Sequence, residues 1–170
     1  MSGLFSSSLS DATPAGLDLG ALSGLDKEAL FRLFSSFMDH IPAGIIIKDS
    51  SLRYIYVNRY LKNFYGTSLH EGGRAAEIYL GDPMAAEIDD EDRRALQGES
   101  IEVFVTMPDN FGISRRFRIL KFPIDLTGGE RMLGYIMTDI TELAKMQNEL
   151  AAAVAEREKL LKEVHNRIMS

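Results

Sequence analysis

His165 is the residue in this sequence best placed to do chemistry. It lies in EKLLKEVHNRI (158–168), where Leu161, Val164 and Ile168 share an apolar face at helical spacing and leave the imidazole just off that seam. A neutral imidazole with an ordinary pKa of about 6.5 is a competent phosphoryl acceptor at cellular pH. On position alone a solvated helical histidine is the better reading. His40 and His70 read as surface histidines. The sequence contains no cysteine, which closes off disulfides, thiolate nucleophiles, Cys-ligated metals and a cysteinyl flavin adduct. It also has no P-loop and no metal-ligand cluster. The chain by itself is expected to be catalytically inert, with no metal site.

These residues have to be positioned by a single core, because 170 residues accommodate one ordinary domain with flanking helices. Apolar residues are 45% of the chain, enough for a globular interior, and the formal charge of -6 argues against a nucleic-acid surface. No stretch approaches the roughly 18 apolar residues of a membrane span, and no basic n-region opens the chain, so a cytoplasmic location is expected.

Residues 1–25, rich in Ser, Gly and Ala, read as a flexible leader. Asp26 then caps a helix whose apolar positions Leu30, Leu33, Phe34, Phe37 and Ile41 follow helical spacing until Pro42, with Leu25 stapling onto Leu30. GIIIK (44–48) and YIYVN (54–58) are β-branched and aromatic and flank an Asp-Ser-Ser turn. Asn58 reads as the cap of a short helix ending at Gly66, Ser68 and Glu71 have capping-box spacing, and Asp82-Pro83 opens a helix to Gln97. Strands follow at 101–107, 116–122 and 132–139, joined by turn-forming segments, and after Thr141 a long helix runs over 142–170. Five strands around a helical middle predict an α+β domain with an antiparallel sheet covered by helices on one face.

That order, carried by IPAGIIIKDSSLRYIYVN (41–58), RRFRILKFPI (115–124) and above all GYIMTDITE (134–142), resembles a PAS domain over residues 26–141. The last segment is similar to the DIT signature that joins PAS domains to an output helix, and identifies Asp139, Ile140 and Thr141 as the signal junction. Either Asp139 or Thr141 can cap that helix. Residues 158–168 are similar to the phosphoacceptor segment of HWE-type and related histidine kinases. That resemblance makes His165 the phosphoacceptor candidate, although Asn166 stands where the pattern has a second histidine. It implies a sensory and dimerisation module whose parent supplies a kinase catalytic domain and acts on a response regulator.

Helix 142–170 carries apolar residues at spacings of three and four, interrupted by Arg157, and with the 26–40 helix it is expected to form a homodimer. The PAS resemblance allows a cofactor of unknown identity or a small-molecule ligand. Flavin photochemistry through a cysteine is excluded, and haem is disfavoured because residues 83–97 contain no histidine, leaving only His70 for a haem-based gas sensor. Polar candidates for a pocket are Tyr54, Tyr56, Tyr60, Thr106, Arg118 and Tyr135, although alternation alone does not say which face each uses. A ligand-free interaction scaffold is the alternative.

Overall fold

The computed structural model describes residues 19–66, 72–75 and 81–170. Its contacts divide the chain into two units, Met1–Phe37 and Met38–Ser170. Described residues of the first unit form a short helix α1 (Leu19–Ser23), within the segment expected to be a leader, and most of α2 (Lys27–His40). The Asp26 carboxylate accepts the Ala29 N–H at 2.7 Å, the expected N-cap. Leu30, Phe31, Leu33, Phe34 and Phe37 of α2 are all exposed.

The second unit is built on β1 (Gly44–Lys48), β2 (Tyr54–Val57), α3 (Arg59–Tyr65), α4 (Pro83–Leu96), β3 (Ile101–Pro108), β4 (Ser114–Asp125), β5 (Arg131–Asp139) and α5 (Thr141–Met169). The five strands form one antiparallel sheet in the order β2-β1-β5-β4-β3. In the β1–β2 turn the Asp49 carboxylate accepts the Ser51 and Arg53 N–H groups, and Leu52 takes a left-handed φ of 63°. Both helical segments α3 and α4 lie on the same face of the sheet, where Val57, Leu61, Phe117 and Leu133 are fully buried. Asp82 caps α4 by accepting the Met84 N–H at 2.9 Å, with Pro83 at the first helical position. The capping box at Ser68 and Glu71, and His70 with it, lies outside the described residues.

Asn58 departs from its expected role. Its side chain makes no cap bond to α3. Instead it is buried, accepts the Ile45 N–H at 3.0 Å and donates to the carbonyls of Met38 and Ala43 at 2.9 Å each. A short amide satisfied on three sides holds the chain's entry into β1 against the end of β2, which a solvated cap would not do.

No residue of α5 is buried, and no described helix is long and apolar enough to cross a membrane. Leu143, Met146, Leu150, Val154, Leu160, Leu161, Val164 and Ile168 are 49–74% exposed, so the apolar seam of the helix has no cover among the described residues.

Gly44 is the point where α3 comes closest to the sheet. A Cβ there would sit 2.6 Å from Cγ and Cδ2 of the fully buried Leu61, which has no room to withdraw. Gly44→Ala is expected to lower stability by about 1–3 kcal/mol through overpacking, read as a lower urea midpoint. Gly24→Ala, which meets no atom within 4 Å, should leave the midpoint unchanged.

Candidate functional site: a charged cluster beneath an apolar cavity

Strand periodicity carries two charged side chains to the inner face, and helix periodicity brings a third opposite them. Lys48 follows Ile46 by two residues and Lys121 follows Ile119 by two, so both lysines share the buried face of their strands. Register then aligns Ile101, Lys121, Tyr135 and Ile46 across β3, β4, β5 and β1. Opposite them, Asp92 lies four residues after Ile88 and three before Ala95, on the side of α4 that meets the sheet.

Burying an ion costs several kcal/mol unless it is well paired, and here every charge has partners. Asp92, fully buried, accepts from Lys48 Nζ at 2.6 Å through Oδ2 and from Lys121 Nζ at 2.8 Å through Oδ1. The Tyr135 hydroxyl also donates to Asp92 Oδ1. Lys121 Nζ reaches Glu91 Oε2 at 2.8 Å and the Ile88 carbonyl at 3.5 Å, both on α4. The Tyr135 ring lies beneath both ammonium groups, 5.0 Å from Lys48 Nζ and 4.8 Å from Lys121 Nζ, and Tyr54 lies 4.5 Å from Lys48 Nζ. Among the described residues no buried side-chain polar atom lacks a hydrogen-bond partner.

Burial lowers the Lys48 pKa below the usual lysine value, with Asp92 opposing the shift and Lys121 adding to it. Burial also pushes the Tyr135 phenol well above its usual value, and the neighbouring Asp92 carboxylate pushes the same way. Tyr135 is therefore a neutral donor at physiological pH.

Next to this cluster the sheet and α4 enclose a cavity of about 100 Å³. Its apolar walls include Ile46, Val103, Val105, Ile119 and Met137, and its polar lining is Tyr54, Tyr65, Glu87, Glu91, Lys121 and Tyr135.

Two of the six polar residues expected at a pocket, Tyr54 and Tyr135, line this cavity. Thr106 and Arg118 do not, because the register turns them to the outer face of the sheet, where Arg118 pairs with Glu102. Tyr56 directs its hydroxyl to Asp39 Oδ1 at 3.4 Å. Tyr60 packs half-buried against the core outside the cavity lining, its phenol raised by burial and by Asp139, with Arg115 opposing. Lys48, Asp92 and Lys121 were not anticipated, although the inward parity of each was readable from its neighbours.

The junction lies at the far end of the same two strands. Asp139 Oδ1 accepts both the N–H and the hydroxyl of Thr141, at 2.9 and 2.5 Å. Thr141 Oγ1 accepts the Arg116 N–H at 2.9 Å, and the Ile140 N–H donates to the Arg116 carbonyl at 2.8 Å. Ile140 is the N-cap residue and its side chain makes no cap bond, so Asp139 holds the first turn from one residue earlier. Thr141, expected as an alternative cap, instead ties the helix to β4. His165 is exposed on α5.

The Tyr135 shift has a sign that can be tested. Above about pH 10 the unfolded chain releases the phenolic proton while the folded state keeps it, so stability falls as pH rises past that value. Lys48 acts oppositely, since between its lowered pKa and about 10.5 unfolding takes up a proton and stability rises with pH. Tyr135→Phe removes only the first contribution. Its urea stability is expected to fall less steeply than that of the wild type above pH 10, and parallel curves would contradict the buried, neutral phenol.

The sequence matches the family model described as the PAS fold over residues 38–145, ending before His165. No curated protein matches it. Similar solved structures include the phage VqmA–DPO complex, at 24% identity and TM-score 0.56, with 75% of this chain and 60% of that chain covered. The Vibrio cholerae VqmA–ligand–DNA complex matches at 20% identity and TM-score 0.56, covering 75% and 54%. For the PAS domain of Bordetella pertussis BvgS the values are 20%, 0.53, 75% and 98%. The chain spans about half the length of the Vibrio VqmA chains it matches, 52% and 54% in two of them. The likenesses to solved structures agree in the fold, and with the family match extending over most of its length, the chain belongs to the PAS-fold family.

Proposed function

We propose that this chain is the sensory and dimerisation module of a two-component histidine kinase, in which occupancy of the core cavity biases α5 and, on it, the phosphoacceptor His165. One observation carries the reading: β4 and β5 each hold one residue of the core cluster and one residue of the junction. Lys121 and Arg116 share β4, and Tyr135 and Asp139 share β5. A shift of the cluster against α4 thus reaches the start of α5 through a few residues of paired strand, with hydrogen bonds at both ends. The uncovered seam of α5 supports pairing with a second copy, because an apolar stripe of that length gains stability only when buried. His165 beside Val164 is then accessible just off the paired seam.

VqmA is solved with a ligand and with DNA, so a PAS-fold receptor also serves outputs other than phosphotransfer. The formal charge of -6 and the segment around His165 favour phosphotransfer for this chain. A second reading, a scaffold that dimerises without a ligand, is favoured by the complete internal pairing of the buried cluster.

The test uses the parent protein extended through its expected ATP-binding domain. Autophosphorylation should place an acid-labile phosphate on His165, and His165→Gln should abolish it while leaving the dimer intact. Leu150→Lys with Leu161→Lys should weaken the dimer at least about tenfold, from the loss of four buried leucines across the pair. Full labelling of His165→Gln would remove the kinase assignment and leave the PAS module alone.

A further inference from the structure

The cavity's hydrogen-bonding capacity is one-sided. Donors on its described lining are engaged: Lys121 with Asp92, Glu91 and the Ile88 carbonyl, Tyr135 with Asp92, and Tyr65 with Met107 Sδ at 3.1 Å. In β4 and β5, which have a neighbouring strand on each side, the backbone N–H groups are committed to the sheet. What remains toward the cavity is acceptor capacity, above all the carboxylates of Glu87 and Glu91, which α4 places one turn apart at its rim. Glu87 is exposed and Glu91 only partly buried, so both can turn to a guest while Lys121 keeps Asp92.

Charge excludes most other guests. The cluster of Lys48, Lys121, Asp92 and Glu91 sums to zero, and Glu87 adds one carboxylate at the exposed rim. An added anion would face Glu87, Glu91 and Asp92, the last two already paired with lysines, while a cation within the cavity would lie beside the Lys121 ammonium in a poorly screened interior. The enclosed volume of about 100 Å³ is of the same order as the roughly 150 Å³ of an apolar cavity that holds benzene and is bordered by the exposed Glu87, so the guest is a molecule of about six heavy atoms with its polar group at the rim.

We infer that the cavity binds a small, uncharged molecule with an apolar body and a hydrogen-bond-donating hydroxyl or N–H, which it presents to Glu87 and Glu91. This rests on the reading of the cavity as a sensory site and names the class of molecule sensed. The body lies among Val103, Val105, Ile119 and Met137, and the donor points to the α4 rim. Binding draws Glu91 from Lys121 and loosens one of the ties between α4 and β4.

A matched series of five-membered rings tests it on the full chain: cyclopentanol, cyclopentanone, cyclopentane, cyclopentylammonium and cyclopentanecarboxylate. Each is titrated while the amide resonances of Val103, Ile119 and Tyr135 are followed. Cyclopentanol should bind roughly three- to tenfold tighter than cyclopentanone, the value of one hydrogen bond, and tighter than either charged member. Combined Glu87→Ala and Glu91→Ala should erase that preference, read as the ratio of cyclopentanol to cyclopentanone affinity within the same variant. Tighter binding of the ketone or of a charged ring at these resonances would overturn the ligand class but keep the cavity as a binding site. A preference that survives the double substitution would overturn the assignment of the acceptors. If no member of the series moves these resonances, the ligand-sensing reading falls with the inference.

Discussion

Asp92 is the constraint on which the rest of the core depends. It is a single carboxylate on α4, fully buried, held by an ammonium from β1, a second from β4 and a phenol from β5. None of these groups could be buried alone at a tolerable cost, and only one placement of α4 over the sheet pairs them all. Apolar residues filling the same volume could make an equally stable core, because desolvating ions offsets much of their attraction. What the cluster adds is directionality. Greasy contacts tolerate sliding, whereas bonds of 2.6–2.8 Å to two strands fix the helix in both rotation and translation.

The cavity follows from that placement. α4 is held to the sheet at Ile88, Glu91 and Asp92, while the walls beside the contact are short or flexible side chains such as Val103, Val105 and Met137. Polar groups therefore collect at one end and apolar ones elsewhere, which suits recognition of a small amphiphilic molecule. The strands that carry the lysine and tyrosine of the cluster continue directly into the bonds that start α5. The cluster beside the cavity and the start of α5 are joined through the same pair of strands, with no intervening loop to absorb a shift.

Much of the fold was legible in the residues. Alternating β-branched and aromatic runs, the Asp82-Pro83 helix start and the segment 134–142 placed the five strands, α4 and α5 close to where they lie. The cavity lining was less legible. Tyr54 and Tyr135 of the six named polar residues line it, but Thr106 and Arg118 were not separable from them, since one residue of register decides which face a side chain takes. Lysines and aspartates ordinarily mark solvent-facing positions, so nothing singled out Lys48, Lys121 and Asp92, although they share a face with Ile46, Ile119 and Ala95. The signal was their combination: two inward lysines become plausible only with an acid on a facing helix, and that pairing crosses 44 residues of sequence between Lys48 and Asp92. Asn58 escaped for a related reason, because a helix cap and a buried clasp use the same side chain and differ only in what surrounds it.

Amide hydrogen exchange on Asp92→Asn tests most directly the claim that the core cluster and the output helix are one mechanical unit. The substitution keeps the shape of the side chain and removes the charge that holds both lysines. The account predicts faster exchange in α4, residues 83–96, together with faster exchange in the first turns of α5, residues 141–150, beyond any change in the central strands β1 and β5. Faster exchange confined to α4, or a uniform increase across the whole sheet with no added effect at the start of α5, would contradict it.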